Sequence, residues 1–139
     1  MLNDELVRGL RDCLIYKLPM VKENKILELS FNFSLQIIEL YKLLQQRNEF
    51  VISKQLLRSA TSIGANAEEA NAGYTKKDFI SKMSIASKEA RETKYWLRLL
   101  QKSQLVANDY SQHLSAVEEI INILTRIVKT SQESLENAK

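Results

Sequence analysis

Four long runs in this chain return an apolar residue every third or fourth position, and almost nothing interrupts them. That spacing puts the apolar side chains on one stripe of an α-helix, and it conflicts with the two-residue alternation of a half-buried strand. With only 3 glycines and 1 proline in 139 residues, the chain also lacks the turns that many short strands would need. The expected fold is all-α: an antiparallel, up-down-up-down four-helix bundle over residues 22–135, preceded by an N-terminal extension over residues 1–21.

The first run, Lys25 to Gln46, carries Ile26, Leu29, Phe33, Ile37, Leu40 and Leu44 on one face. The second, Ile52 to Ala72, carries Leu56, Ala60, Ile63, Ala67 and Ala70. These are mostly small residues, which let two helix backbones approach closely. Gly64 within it costs about 1 kcal/mol relative to alanine, so a tight packing contact is expected there. Gly73 is expected to end this helix. Thr75 is placed as the N-cap of the next, with Asp78 in its first turn. The third helix then continues to Lys102 on an unbroken four-three seam of Phe79, Met83, Ala86, Ala90, Thr93, Leu97 and Leu100. The fourth, Ser111 to Leu135, has Leu114, Val117, Ile121, Leu124 and Val128. Short links between successive runs require antiparallel neighbours.

Residues 1–19 differ from the rest. Leu2, Leu6, Leu10 and Leu14 can form one face of a short helix before Pro19 breaks the chain, and either docking on the bundle or a free extension fits that pattern. No stretch reaches the ~20 uncharged apolar residues of a membrane span. The N-terminus has no apolar run of the signal-peptide kind. The lone Cys13 leaves no internal disulfide and suits a reducing compartment. A cytoplasmic protein with no membrane partner is therefore expected.

Catalytic chemistry finds little support. His113 is the single histidine, near the start of the fourth helix, where an exposed position is the usual case. Glu89-x-x-Glu92 and the pair Glu118-Glu119 come nearest to a carboxylate metal site, but they lack the imidazoles of the Glu-x-x-His pairs that di-metal bundles use. No glycine-rich phosphate loop and no nucleophile with a base partner is present. No catalytic residue, metal or cofactor is expected, and the chain does not read as an enzyme.

Charge is more informative. The net charge of +3 is unevenly spread: residues 76–102 hold eight basic and three acidic side chains, while residues 103–139 hold three basic and five acidic. On the third helix Lys77, Ser81, Ser84, Lys88, Arg91, Tyr95, Arg98 and Lys102 fall at four-three steps opposite the seam, with no acid among them. Cations and small hydroxyls suit phosphate contacts, and a tyrosine can stack on an unpaired base. Lys77, Lys88, Arg91, Tyr95, Arg98 and Lys102 are therefore the expected nucleic-acid contacts; a merely solvated helix face is the alternative. Beside the seams, Gln55, Ser59, Ser62, Asn66 and Glu69 line the second helix with Arg58 alongside. Ile85, Glu89, Glu92, Trp96 and Leu99 line the third. A polar network of Arg58, Asn66, Glu69, Glu89 and Glu92 is expected to fix helix pairing. Ile85, Trp96 and Leu99 are the expected apolar anchors of a subunit interface.

The segment Arg58-Ser59-Ala60-Thr61-Ser62-Ile63-Gly64-Ala65-Asn66-Ala67-Glu68-Glu69-Ala70, then Lys76-Lys77-Asp78-Phe79-Ile80 and Ala90-Arg91-Glu92-Thr93-Lys94-Tyr95-Trp96-Leu97, resembles a bacterial four-helix-bundle family. Its members were first noticed as intervening-sequence proteins, encoded within insertions in large-subunit ribosomal RNA genes. The likeness covers about residues 22–130. It implies a left-handed bundle, assembly into a homo-oligomeric ring, typically a pentamer, and no enzymatic activity. A distant relative, the accessory protein of diversity-generating retroelements, is a basic pentamer that engages nucleic acid and a reverse transcriptase, and by analogy it points to a binding role. Ala67 departs from the family pattern, which carries a larger aliphatic residue there in many members. Residues 1–19 lie outside the pattern, which begins close to Met20 and makes Met20 a candidate native start. The leading expectation is an oligomeric RNA-associated protein. The alternatives are a protein–protein scaffold holding another polypeptide and, less favoured, a small-molecule site in a ring's channel.

Overall fold

The computed structural model describes residues 21–138 of the chain, with side chains from Lys25 onward. The face formed by Leu2, Leu6, Leu10 and Leu14 lies outside the described residues, as does Pro19. Four helices follow in order: α1 (Val21–Gln46), α2 (Ile52–Asn71), α3 (Lys76–Ser103) and α4 (Ser111–Asn137). Each packs on its sequence neighbour and α4 closes back on α1, while the diagonal pairs stay apart. This is the expected all-α up-down-up-down bundle. Its ends differ slightly from expectation. α1 is already helical at Val21, the first described residue, ahead of the Lys25 expected from the apolar spacing. α2 stops at Asn71, one residue short of Ala72, and α4 runs past Leu135 to Asn137.

The link between α1 and α2 is built by two residues. Asn48 sits in the left-handed region at φ 61°, a conformation that asparagine tolerates better than most residues. Its amide bonds the Gln45 carbonyl at 3.0 Å, and the Glu49 amide bonds the Leu44 carbonyl at 2.9 Å. These are the two bonds of a Schellman helix end. The Glu49 carboxylate then turns forward and accepts from the amides of Val51 (3.0 Å), Ile52 (2.9 Å) and Ser53 (2.6 Å). One side chain thus satisfies three of the amides left open at the start of α2.

At the next turn Thr75 is extended and its Oγ1 accepts from the Asp78 amide at 3.1 Å, the expected N-cap. Gly73 plays a different part from the one expected. Ala72 is the C-cap of α2, and no glycine among the described residues has positive φ. A Cβ at Gly73 would lie 3.2 Å from the Ala70 carbonyl oxygen, so the position calls for little bulk rather than a left-handed backbone. The α3–α4 link turns at Gln104 (φ 49°), whose amide bonds the Leu100 carbonyl. The Gln101 side-chain oxygen accepts from the Tyr110 amide at 2.9 Å, and the buried Tyr110 hydroxyl donates to the Val106 carbonyl at 2.8 Å.

The seams meet in one core. Ile26, Phe33, Ile37, Leu40 and Leu44 of α1 and Val117, Ile121 and Leu124 of α4 are buried as expected, joined by Ile120 and Ile127. Between α2 and α3 the packing layer is made of small residues: Ser59, Ala60, Ala67 and Ala70 against Ala86, Ala90 and Thr93, all buried. Thr93 Oγ1 lies 2.9 Å from Ser59 Oγ and 2.8 Å from the Glu89 carbonyl, so both hydroxyls are paired in a dry layer. Between α1 and α2 the close approach falls at Gly64, where a Cβ would lie 3.4 Å from Ser30 Oγ. That separation is an ordinary contact, so Gly64→Ala should stabilise the fold by about 0.5–1 kcal/mol through helix propensity. Gly64→Leu should cost roughly 1–3 kcal/mol by forcing the helices apart. Urea melts of the two variants check this, and a destabilised alanine variant would show that the gap is tighter than it looks.

Candidate nucleic-acid interface

α3 presents different chemistry to its two sides. Toward α2, the Arg58 guanidinium spans Glu89 (Nη1 to Oε2, 3.4 Å) and Glu92. Its stem is steadied by Gln55, whose side-chain oxygen accepts from Arg58 Nε at 3.2 Å. The other two members of the expected network go elsewhere. Asn66 bonds the Ser62 carbonyl and hydroxyl on its own helix, and Glu69 pairs with Lys82 at 2.7 Å. The Arg58 side chain keeps 50% of its surface, against 20% for Glu89 and 39% for Glu92. Water therefore screens the cluster, and Arg58→Ala should cost less than ~1 kcal/mol. A thermal melt showing a loss of several kcal/mol would mean that the triad is sealed in solution.

Away from α2, all six expected contact residues point outward. Lys77, Lys88, Arg91, Tyr95, Arg98 and Lys102 are exposed, and among the described residues none of the five cations joins an ion pair. Two of the three acids of this helix, Glu89 and Glu92, are held by Arg58 on the α2 side, and the third, Asp78, lies in its first turn, so from Lys88 to Lys102 the outward line keeps its positive field. Tyr95 is 53% exposed and stands against Trp96 with ring centroids 5.1 Å apart and planes at 68°. Arg91 leans toward α4 and donates to Thr125 Oγ1 at 3.2 Å. One turn further along, Lys94 is tied to Glu118 at 2.6 Å.

The expected interface residues are partly covered. Ile85 is 38% exposed, whereas Trp96 and Leu99 are half-buried against the bundle, with the indole Nε1 enclosed and unpartnered. A larger apolar exposure lies on α1, where Phe31 (62%) and Leu35 (49%) stand one turn apart. Leu27, Phe31, Leu35 and Ile38 form a second apolar line beside the α1 seam. Its four-four-three spacing is visible in the sequence, but its exposure depends on what packs against α1. His113 also departs from expectation. It is half-buried with Nδ1 enclosed, and burial lowers its pKa despite the opposing pull of Asp109. It lies in the first turn of α4, half-covered rather than free in solvent.

A sequence model of the 23S rRNA-intervening sequence protein family matches residues 22–126, most of the described bundle. The chain belongs to that family. A crystal structure of a protein of unknown function from the S23 ribosomal protein family of Bacteroides thetaiotaomicron is 43% identical, with a TM-score of 0.74. The alignment covers 78% of this chain and 99% of that one. No curated protein matches the chain. The family segment takes in the whole outward line of α3 and both sides of the Arg58 cluster, and it leaves out residues 1–21. No helix among the described residues is long and apolar enough to cross a membrane.

Proposed function

We propose that this protein is a non-enzymatic, cytoplasmic, homo-oligomeric binding protein that associates with RNA through the outward face of α3. The observation that carries the reading is the sorting of charge on that helix. Glu89 and Glu92 face α2, where both pair with Arg58, while Lys77, Lys88, Arg91, Arg98 and Lys102 stand exposed without acid partners among the described residues. From Lys77 to Lys102 the line extends about 38 Å at the ~1.5 Å rise of a helix, long enough to follow several phosphates of one strand. The family's name, which ties it to intervening sequences of 23S rRNA, agrees with an RNA partner. In a homo-oligomeric ring, such as a pentamer, the same line would repeat on each subunit and the fields would add.

The test is binding of a mixed pool of single-stranded RNA to the wild-type chain across a salt series. Affinity should fall steeply as salt rises, because cations that neutralise phosphates release counterions. No measurable RNA or DNA affinity at low salt would overturn the reading.

A second reading is a protein–protein scaffold, and the exposed apolar pair Phe31 and Leu35 favours it. In either case light scattering at micromolar concentration should report several times the 16.0 kDa chain mass. Phe31→Ser/Leu35→Ser should lower that mass if α1 makes the subunit contact. Ile85→Ser/Leu99→Ser should lower it if the contact lies on α3. A monomer peak for the wild-type chain would end the oligomer proposal.

A further inference from the structure

The outward line of α3 does not stand alone. A cleft of about 270 Å³ opens between α3 and α4, lined by Ser84, Ser87 and Arg91 on one side and Thr125, Lys129 and Gln132 on the other, with Val128 as the one apolar residue. Every polar side chain in that set can donate a hydrogen bond, two are cations, and no carboxylate is present. That composition is selective in this protein. The next cleft along the same helix pair, about 500 Å³, takes in Lys94, Arg98 and Lys102 but also Glu118, which holds Lys94. A third cleft, on the other flank of α4, takes in both Glu118 and Glu119.

Arg91 is positioned before any ligand arrives. Thr125 lies with Oγ1 2.7 Å from the Ile121 carbonyl, to which it donates, so its lone pair receives Arg91 Nη2 at 3.2 Å. One N–H of the guanidinium is used to anchor the group across the cleft, and the other donors remain for a ligand. A cation held in place in advance loses less freedom on binding than a free surface arginine. The Lys129 ammonium on α4 and the two serine hydroxyls on α3 supply donors from the two walls.

We infer that the α3–α4 cleft is a phosphate-binding site, taking one phosphate oxyanion between Arg91, Lys129 and the hydroxyls of Ser84 and Ser87. Charge-assisted donors from two sides suit the several oxygens of a phosphate, and they favour an anion over a neutral ligand of the same size. The inference rests on the RNA reading for the source of that phosphate, the backbone of a single strand lying along α3. It adds α4 to the contact surface, since Lys129 is absent from the helix line that the spacing picks out.

The experiment uses the full chain, with a short single-stranded RNA of mixed sequence and inorganic phosphate as separate probes. Folding of every variant is confirmed by circular dichroism. Lys129→Gln should weaken RNA binding by roughly three- to tenfold at low salt and flatten the salt slope by up to about 0.7, the share of one phosphate on a single strand. Ser84→Ala/Ser87→Ala should weaken binding with the slope unchanged, because no charge is removed. If both variants bind RNA like the wild type while Lys88→Gln/Arg98→Gln does not, the cleft inference is overturned and the RNA reading stands. If the wild type binds no RNA, but inorganic phosphate shifts the amide resonances of Ser84, Arg91 and Lys129, the site is upheld with free phosphate or a small phosphate ester as its source. Absence of a response to either probe overturns both.

Discussion

Glu49→Ala should destabilise the bundle by about 2 kcal/mol or more at neutral pH, seen as a fall of roughly 6–10 °C in Tm. The residue is only 7% exposed, and its carboxylate serves three amides of α2 while the Ser53 hydroxyl returns a bond to the Glu49 carbonyl at 2.8 Å. Alanine leaves those amides without partners in a place where water has poor access. The pH dependence should carry the same signature. Burial raises the Glu49 pKa, but the bonds from Ile52, Ser53 and Val51 outweigh it and hold the group below its ordinary 4.5. With the folded value depressed, the unfolded chain takes up the proton first. The stabilisation is therefore complete above about pH 4.5 and is lost as pH falls through the lower folded value. Melts of wild type and variant should thus differ most near neutrality and converge in acid. A constant gap down to pH 2 would show that the effect is packing rather than charge. Glu49→Gln should lose less, since its amide oxygen can still accept.

Replacing Lys88, Arg91 and Arg98 together by glutamine should reduce RNA affinity by an order of magnitude or more at low salt, while helicity and oligomeric mass stay as in the wild type. All three are exposed and none is in an ion pair among the described residues, so their removal leaves the fold intact. Fewer phosphates would be neutralised and fewer counterions released, and the salt slope should flatten by up to about 0.7 for each phosphate no longer neutralised. Tyr95→Ala should behave differently, costing ~1–3 kcal/mol of binding if a base stacks on the ring, with little change in slope. Because Tyr95 also meets Trp96 edge to face, a parallel melt is needed to separate an effect on RNA stacking from one on packing. Equal binding by the triple variant and the wild type would place the contacts on another face.

Much of the bundle is legible in the order of its residues. The number of helices, the residues on each seam, the Thr75 cap and the outward direction of the α3 cations all follow from local rules. At 3.6 residues per turn, a residue's place on its own helix is set by its position in the run. The Gly64 contact is legible only in part: a glycine within a helix points to a close neighbour, and Ser30 is that neighbour, but at a separation an alanine would fit. The expected polar network shows where such reasoning stops. Arg58, Glu89 and Glu92 do meet, yet Asn66 satisfies itself within α2 and Glu69 takes Lys82.

Partners across a groove depend on the rotation and axial offset of two packed helices, and an offset of one turn exchanges every pair along it. No spacing within one helix encodes that offset. The same is true of Glu49, a charge in a link that gains its role only because Asn48 turns the chain and the end of the bundle closes over it. It is true of His113, whose half-buried place no spacing within α4 foretells. The α3–α4 cleft belongs with them: the cations of α3 could be read from their spacing, but which residues of α4 face them was decided by the packing of the two helices. The sequence by itself determined the four helices and the charge on each face. Only the tertiary structure decided which faces meet, because that depends on side chains distant in the chain fitting together in one core.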